Sequence, residues 1–151
     1  MSHQWRTSAF PDLTNAELYD LLRLRQEVFV VEQQSIYLDL DGKDQASMHM
    51  LCREGGELVA YQRLLPPGLS YDESAIGRIV VCRRARGSDL GRELVRRGIA
   101  HNLGLWPHCD IRINAQSYLK KFYLELGFDI ASDDYDLDGI PHVEMLYRRP
   151  G

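Results

Sequence analysis

The stretch from Ile76 to Gly91 constrains this chain most. It opens as an apolar, β-branched run, Ile76-Gly77-Arg78-Ile79-Val80-Val81-Cys82. The run breaks into a basic, glycine-containing turn, Arg83-Arg84-Ala85-Arg86-Gly87-Ser88-Asp89. Leu90, Leu94, Val95 and Ile99 then recur at helical spacing. A strand must therefore feed a helix directly. Such a junction gathers backbone N–H groups at one spot, and the helix dipole adds partial positive charge there. The spot suits a pyrophosphate, so the chain is expected to bind a phosphate-bearing cofactor.

The 151 residues are 44% hydrophobic and 26% charged, enough for one domain over 1–151 with a real core. No apolar run is long enough to cross a bilayer, and Met1 to Arg6 carries no signal-peptide pattern, so cytoplasmic residence is the expectation. Cys52, Cys82 and Cys109 are odd in number and each lies in an apolar stretch, which reads as buried free thiols. No paired Cys or His spacing suggests a zinc site, and no metal is expected.

The net charge is −4 and unevenly spread. Acidic residues gather at Asp39, Asp41 and Asp44 and at Asp133, Asp134, Asp136 and Asp138. Arg83, Arg84, Arg86, Arg92, Arg96 and Arg97 flank the proposed phosphate turn. No aromatic-basic pattern accompanies them, so no nucleic-acid partner is expected, nor a membrane.

Thr14-Asn15-Ala16-Glu17 has capping-box form, and helical periodicity follows to about residue 31. Residues 35–46 are polar and acidic and read as an exposed loop. Residues 48–53 and 57–65 flank Gly55-Gly56, a hairpin signal. Further strands are expected at 76–82, 110–114, 128–131 and 142–147, with helices at about 89–103 and 117–126. The order β-α-loop-β-β-β-α-β-α-β-β predicts a mixed α/β (α+β) domain, with helices on both faces of a largely antiparallel sheet.

A second constellation follows the 110–114 strand: Asn114-Ala115-Gln116, then Phe122-Tyr123-Leu124-Glu125-Leu126-Gly127-Phe128. With Arg86-Gly87-Ser88-Asp89-Leu90-Gly91 it resembles the GNAT superfamily of acyl-CoA N-acyltransferases, whose signatures are Arg/Gln-x-x-Gly-x-Gly/Ala and Phe/Leu-Tyr-x-x-x-Gly-Phe. The stretches 24–33, 37–44, 76–81 and 138–142 are similar to the ElaA-type branch. The chain departs from the pattern at Asp89, where Gly is usual, which places bulk and negative charge in the phosphate signature. Gln116 stands where many members carry Asn, and it keeps an amide.

The resemblance implies a cleft between splayed strands that holds acetyl-CoA or coenzyme A as co-substrate. Backbone groups of Ile79, Val80 and Val81 would line the pantetheine arm. The turn at Arg86, with the N–H groups of Gly87, Ser88, Leu90, Gly91 and Arg92, would hold the pyrophosphate. Asn114 and Gln116 alternate onto one strand face and would line the same groove. Tyr123 would protonate the departing thiolate, with Phe122 turned to the core. The amine needs a base, and Glu32, Asp39, Asp41, His49 and His142 are the candidates. His142, beside the late acidic loop, is the first to test.

The implied reaction is acetyl transfer to a primary amine, borne by a small molecule or a peptide, within a ternary complex. Two other readings stay open: an acyl-homoserine-lactone-synthase-like acyltransferase, and a non-catalytic CoA-binding domain. The acidic loops at 39–44 and 133–138 suggest a cationic acceptor. The oligomeric state, a homodimer included, stays open.

Overall fold

The computed structural model describes residues 2–151. Eight strands form one sheet in the order β1 (His3–Ala9), β2 (Met48–Glu54), β3 (Glu57–Leu65), β4 (Ser74–Val81), β5 (Ile111–Gln116), β8 (Ile140–Tyr147) and β6 (Asp129–Ile130), with β7 (Tyr135–Leu137) also paired to β8. All neighbours are antiparallel except β4 and β5. The anticipated mixed architecture is present. Gly55 and Gly56 both take positive φ, 59° and 85°, as the two-residue β2–β3 turn requires. The late acidic loop contributes a short strand, β7.

Helix α1 (Asn15–Arg25) starts at the anticipated capping box. The Glu17 N–H donates to Thr14 Oγ1 at 3.0 Å, and the Thr14 N–H donates to Glu17 Oε1 at 2.9 Å. The periodic run does not stay α-helical to residue 31. It widens into a π-helical segment over Gln26–Glu32, and Gln33 N and Ser35 N donate to Val28 O and Val30 O. Leu21, Leu24 and Val28 pack on Leu51, Leu58, Tyr61 and Val80, one face of the sheet. Helix α2 (Leu90–Leu105) and the six-residue α3 (Lys120–Glu125) cover the other, with Leu90, Leu94, Val95, Ile99 and Tyr123 against Val59, Ile76, Ile113 and Val143. Helices thus cover both faces because β3 and β4 are apolar on both.

Two irregularities in β4 shape the centre of the molecule. It pairs with β5 only at Ser74–Ile111 and Ala75–Arg112, then departs from it. On its other side Tyr61 pairs with Val80 but Arg63 with Gly77, so β4 holds one residue more than β3 across that interval. The extra residue includes Arg78 at φ 50°, a left-handed conformation that a side chain adopts only under restraint.

The segment 35–46 supplies that restraint, and the expectation of an exposed loop is corrected here. Over residues 36–40 its outward side chains are apolar: Ile36, Leu38 and Leu40 are exposed. Its carboxylates point inward, with Asp39 and Asp44 buried. Arg25, without exposed surface, donates from Nε to Asp39 Oδ2 at 2.9 Å and from Nη1 to Asp44 Oδ1 at 2.8 Å. Arg63 forks onto Asp41 at 2.8 Å through both Nη atoms and reaches Asp44 Oδ1 at 2.9 Å. Arg78 Nη2 donates to the Asp39 carbonyl at 3.0 Å, and its Nε lies 2.8 Å from Asp39 Oδ1. Buried charges demand such pairing, because an unpaired one loses hydration with nothing in exchange.

Burial alone would raise the Asp44 carboxyl, but hydrogen bonds and charge from Arg25 and Arg63 outweigh it and hold the group below its ordinary range. Asp41 is likewise depressed against its burial, chiefly by Arg63. Both carboxyls titrate lower folded than unfolded. Their stabilisation is complete above about pH 5 and is lost as pH falls below the unfolded value of about 3.9 toward the folded ones. Asp44→Asn leaves two buried guanidinium groups short of a counter-charge and should cost about 3–5 kcal/mol in denaturant unfolding. The variant should also lose part of the wild type's acid-induced destabilisation below about pH 4, which parallel unfolding series would reveal.

Candidate active site

Where β4 departs from β5 a cleft of about 770 Å³ opens through the sheet. Ile79, Val80, Val81, Arg86, Gly91, Asn114, Gln116, Tyr123 and His142 all line it, as do the base candidates Glu32 and Asp41, so eleven of the candidate site residues read from sequence converge on one space. Beyond Ala75 the β5-facing edge of β4 has no partner strand among the described residues. An extended ligand can pair with such an edge as an added strand. Gly87, Ser88, Leu90 and Arg92 lie outside the cleft lining, in the turn at its end.

The turn begins with one 3₁₀ turn, Arg83–Ala85, and passes through Gly87 at φ 84° into α2. The first i→i−4 bond of α2 runs from Glu93 N to Asp89 O. The Gly91 and Arg92 N–H groups precede it and have no helical acceptor. The Leu90 N–H, by contrast, already reaches Ser88 Oγ at 3.4 Å, and the Ser88 hydroxyl donates to Ala85 O at 3.0 Å. Asp89 makes no side-chain cap and does not line the cleft. It borders a shallow outer depression with Glu93, Arg96 and Arg97. Its carboxylate therefore does not fill the place where the missing glycine mattered.

The side chains of the two arginines are committed elsewhere. Arg86 Nε donates to Val81 O at 2.9 Å, and its Nη atoms grip the Glu32 carboxylate at 2.6 and 3.1 Å. Arg92 pairs with Glu125 at 2.7 Å and lies 5.5 Å from the Phe122 ring centroid. What the turn offers an anion is chiefly backbone.

Tyr123 lines the cleft as anticipated, but Phe122 is not turned wholly to the core and lines it too. Tyr123 is the buried one, edge-on to Phe128 at 5.8 Å, while Phe122 lies against Gly91 at the cleft. Burial pushes the Tyr123 phenol well above its usual value, with a smaller push from Tyr118. It therefore stays protonated throughout the neutral range. Across the cleft, Asn114 and Gln116 do share one face of β5: Asn114 Oδ1 accepts from the Tyr135 hydroxyl, and Gln116 Nε2 donates to Gln33 Oε1 at 3.1 Å.

The base candidates separate by their partners. Glu32 is held below its ordinary value, first by its hydrogen bond from Arg86. Asp39 is occupied by Arg25, Arg78 and the Tyr37 hydroxyl, and Asp41 by Arg63 and Arg78. His49 is enclosed in the core, with one ring nitrogen 2.6 Å from the Tyr61 hydroxyl and the other 2.9 Å from Asp44 O, and its burial lowers its pKa. Only His142 pairs cleft access with a free nitrogen. Its Nδ1 lies 2.7 Å from Ile140 O, and because a carbonyl can only accept, that nitrogen carries the hydrogen in the neutral ring. Nε2 keeps its lone pair.

Of the two acidic loops expected to attract a cation, 39–44 is neutralised from within, whereas 133–138 keeps Asp133, Asp136 and Asp138 exposed and outside any ion pair among the described residues. The carboxylates of 39–44 face Arg25, Arg63 and Arg78 rather than solvent. In the later loop, Asp134 pairs with Lys120 and Asp136 accepts from the Gly139 N–H. Of the thiols, Cys52 is buried as expected, but Cys82 and Cys109 are only half-buried.

Several lining residues carried no signal in the sequence. Lys43 comes from the loop before β2, Ser70 and Tyr71 from the loop between β3 and β4, and Gln33 from the end of the π-helical segment. Arg78 sits in an apolar run, and nothing local marks it as the bulged position.

Comparison with known proteins agrees with this geometry. The family model described as "Acetyltransferase (GNAT) domain" matches residues 11–149. UPF0039 protein sll0451 of Synechocystis is 41% identical over 99% of this chain and 98% of its own length. Protein ElaA of Escherichia coli K12 is 36% identical over 94% of each chain, and the crystal structure of E. coli ElaA superposes with a TM-score of 0.92 over 97% of this chain and 100% of its own. The crystal structure of an acyl-CoA N-acyltransferase from Pseudomonas aeruginosa, 38% identical, superposes with a TM-score of 0.93 over the same shares. With a splayed β4–β5 cleft, a basic, glycine-containing turn at its end and these relatives along nearly its whole length, the chain belongs to the GNAT acetyltransferase family, in its ElaA-type branch, and is an acyltransferase.

Proposed function

We propose that this acyltransferase moves acetyl from acetyl-CoA to a primary amine by direct transfer within a ternary complex. The observation that carries the reading is the unpaired edge of β4, which runs from the cleft into a turn rich in free N–H groups. An extended pantetheine arm would bond along Ile79, Val80 and Val81. Its pyrophosphate would meet the N–H groups of Gly87, Ser88, Gly91 and Arg92 at the positive end of α2. The Leu90 N–H would serve only by giving up Ser88 Oγ. Asn114 and Gln116 would order the opposite wall.

The amine nitrogen bonds to the acyl carbon, the C–S bond breaks, and two protons move. His142 Nε2 takes the proton from the amine. Tyr123 gives its hydroxyl proton to the leaving sulfur, a role suited to a phenol kept protonated by burial. No cysteine among the described residues lines the cleft, which supports direct transfer over an acyl-enzyme. The position of Asp89 outside the cleft removes the main argument for a domain that binds CoA without chemistry.

Titration calorimetry should show CoA binding without added metal. Gly87→Glu forces a side chain into the left-handed region at about 1–2 kcal/mol and sets a negative charge beside the phosphates. Its affinity should fall by tenfold or more, and wild-type affinity in this variant would displace the turn from the reading. Tyr123→Phe should reduce kcat by about a hundredfold with little change in CoA affinity. Because the phenol's pKa is raised, wild-type turnover should show no alkaline decline from this group below about pH 10. Unchanged kcat in Tyr123→Phe, with chemistry rate-limiting, would remove the residue from the mechanism. A series of acyl-CoA chain lengths tests acetyl against longer donors, the homoserine-lactone-type alternative.

A further inference from the structure

Nearly every charge on the cleft wall is already answered. Glu32 faces Arg86, while Arg63 and Arg78 face Asp41, with Asp39 and Asp44 behind. Among the described residues, two lining charges have no ion-pair partner, Lys43 and Asp138. The half-buried Lys43 reaches across two loops to a neutral group, its Nζ donating to Ser70 Oγ at 2.9 Å. The neighbouring Asp41 carboxylate accepts from the Lys43 backbone N–H, not from its ammonium, and is spent on Arg63. Asp72, on the segment that carries Ser70, is exposed and does not line the cleft. Asp138 stands on the β7–β8 turn with φ 53°, and its carbonyl accepts from the Ser35 hydroxyl, which fixes the turn against the chain that follows the π-helical segment. Four residues further along is His142.

We propose that the acceptor is a primary amine that also bears a carboxylate, an amino acid or a compound of that form. Its carboxylate is held by the ammonium of Lys43 and the hydroxyl of Ser70. Its own ammonium is drawn to Asp138 and loses one proton to solvent before attack, which leaves His142 free to take the second as the C–N bond forms. Such a ligand has one charge of each sign, the complement of what the wall leaves unpaired. A diamine or polyamine matches it poorly, since its second cation would meet Lys43 and two guanidinium groups whose counter-charges are already taken. The assignment rests on the acetyltransferase reading of the same cleft.

Acetyl-CoA and a panel of amino acids of increasing chain length would be assayed against their methyl esters and against the corresponding diamines, with free thiol release as the readout. The acids should be used with kcat/KM at least tenfold above the esters and diamines. Lys43→Met should raise KM for the preferred acid about tenfold or more, the scale of one charge-assisted hydrogen bond, leave kcat nearly unchanged, and not alter the ester. Lys43→Arg should restore most of the loss. Esters or diamines accepted as well as acids by the wild-type enzyme would overturn the proposal, and that comparison needs no variant to fold. So would an equal effect of Lys43→Met on acid and ester. Amine acetylation that ignores the carboxylate overturns this inference alone, whereas CoA binding with no acetylation of any amine overturns the acetyltransferase reading and this one with it.

Discussion

A guanidinium without exposed surface organises this molecule. Arg25 ends α1 and, being enclosed, must have carboxylates brought to it. Asp39 and Asp44 answer it from a segment with almost no regular structure, and Arg63 of β3 and Arg78 of β4 close the network through Asp41. One helix, one loop and two strands are thereby joined around the bulge. Ion pairs of this kind add little net stability compared with apolar packing, but they specify one arrangement, because each wrong arrangement leaves a buried charge unpaired.

The bulge and the splay are consequences in the same strand. The left-handed Arg78 lengthens β4 relative to β3, and past Ala75 the strand no longer follows β5. A sheet interior is thus converted into a cleft with one unpaired edge. The opening reaches both layers: α2 and α3 supply the turn, Phe122 and Tyr123, while the π-helical segment and the loop after it supply Phe29, Gln33 and Tyr37. The cleft is thus walled by residues from both faces of one sheet.

The network also sets the electrostatics of one side of the cleft. Counting acidic residues along 39–44 suggests a negative surface, whereas in three dimensions those carboxylates neutralise arginines that come from elsewhere in the chain. Over residues 36–40 the outward face is apolar, with Ile36, Leu38 and Leu40 exposed around the inward Tyr37 and Asp39. The alternation was present in the sequence, but the buried side proved to be the charged one.

Features governed by neighbours in sequence were legible from the sequence alone. The Thr14 capping box, the Gly55-Gly56 hairpin, the strand-to-helix turn at 82–90 and the Phe122-to-Phe128 element each depend on a few adjacent residues whose local preferences agree with the fold, and they sufficed to indicate the architecture and the family. Features that depend on distant partners were not legible. That Asp39 and Asp44 are buried follows from Arg25, Arg63 and Arg78, far apart in the chain. That Arg78 occupies the bulge follows from β3 and β4 register, and that His142 alone keeps a free nitrogen in the cleft follows from where Arg86 and Tyr61 fall relative to its competitors. Local sequence chooses helix, strand and turn through short-range sterics and hydrogen bonds. Whether a charge is buried, paired or available is a property of its three-dimensional surroundings, and only the tertiary structure decided it.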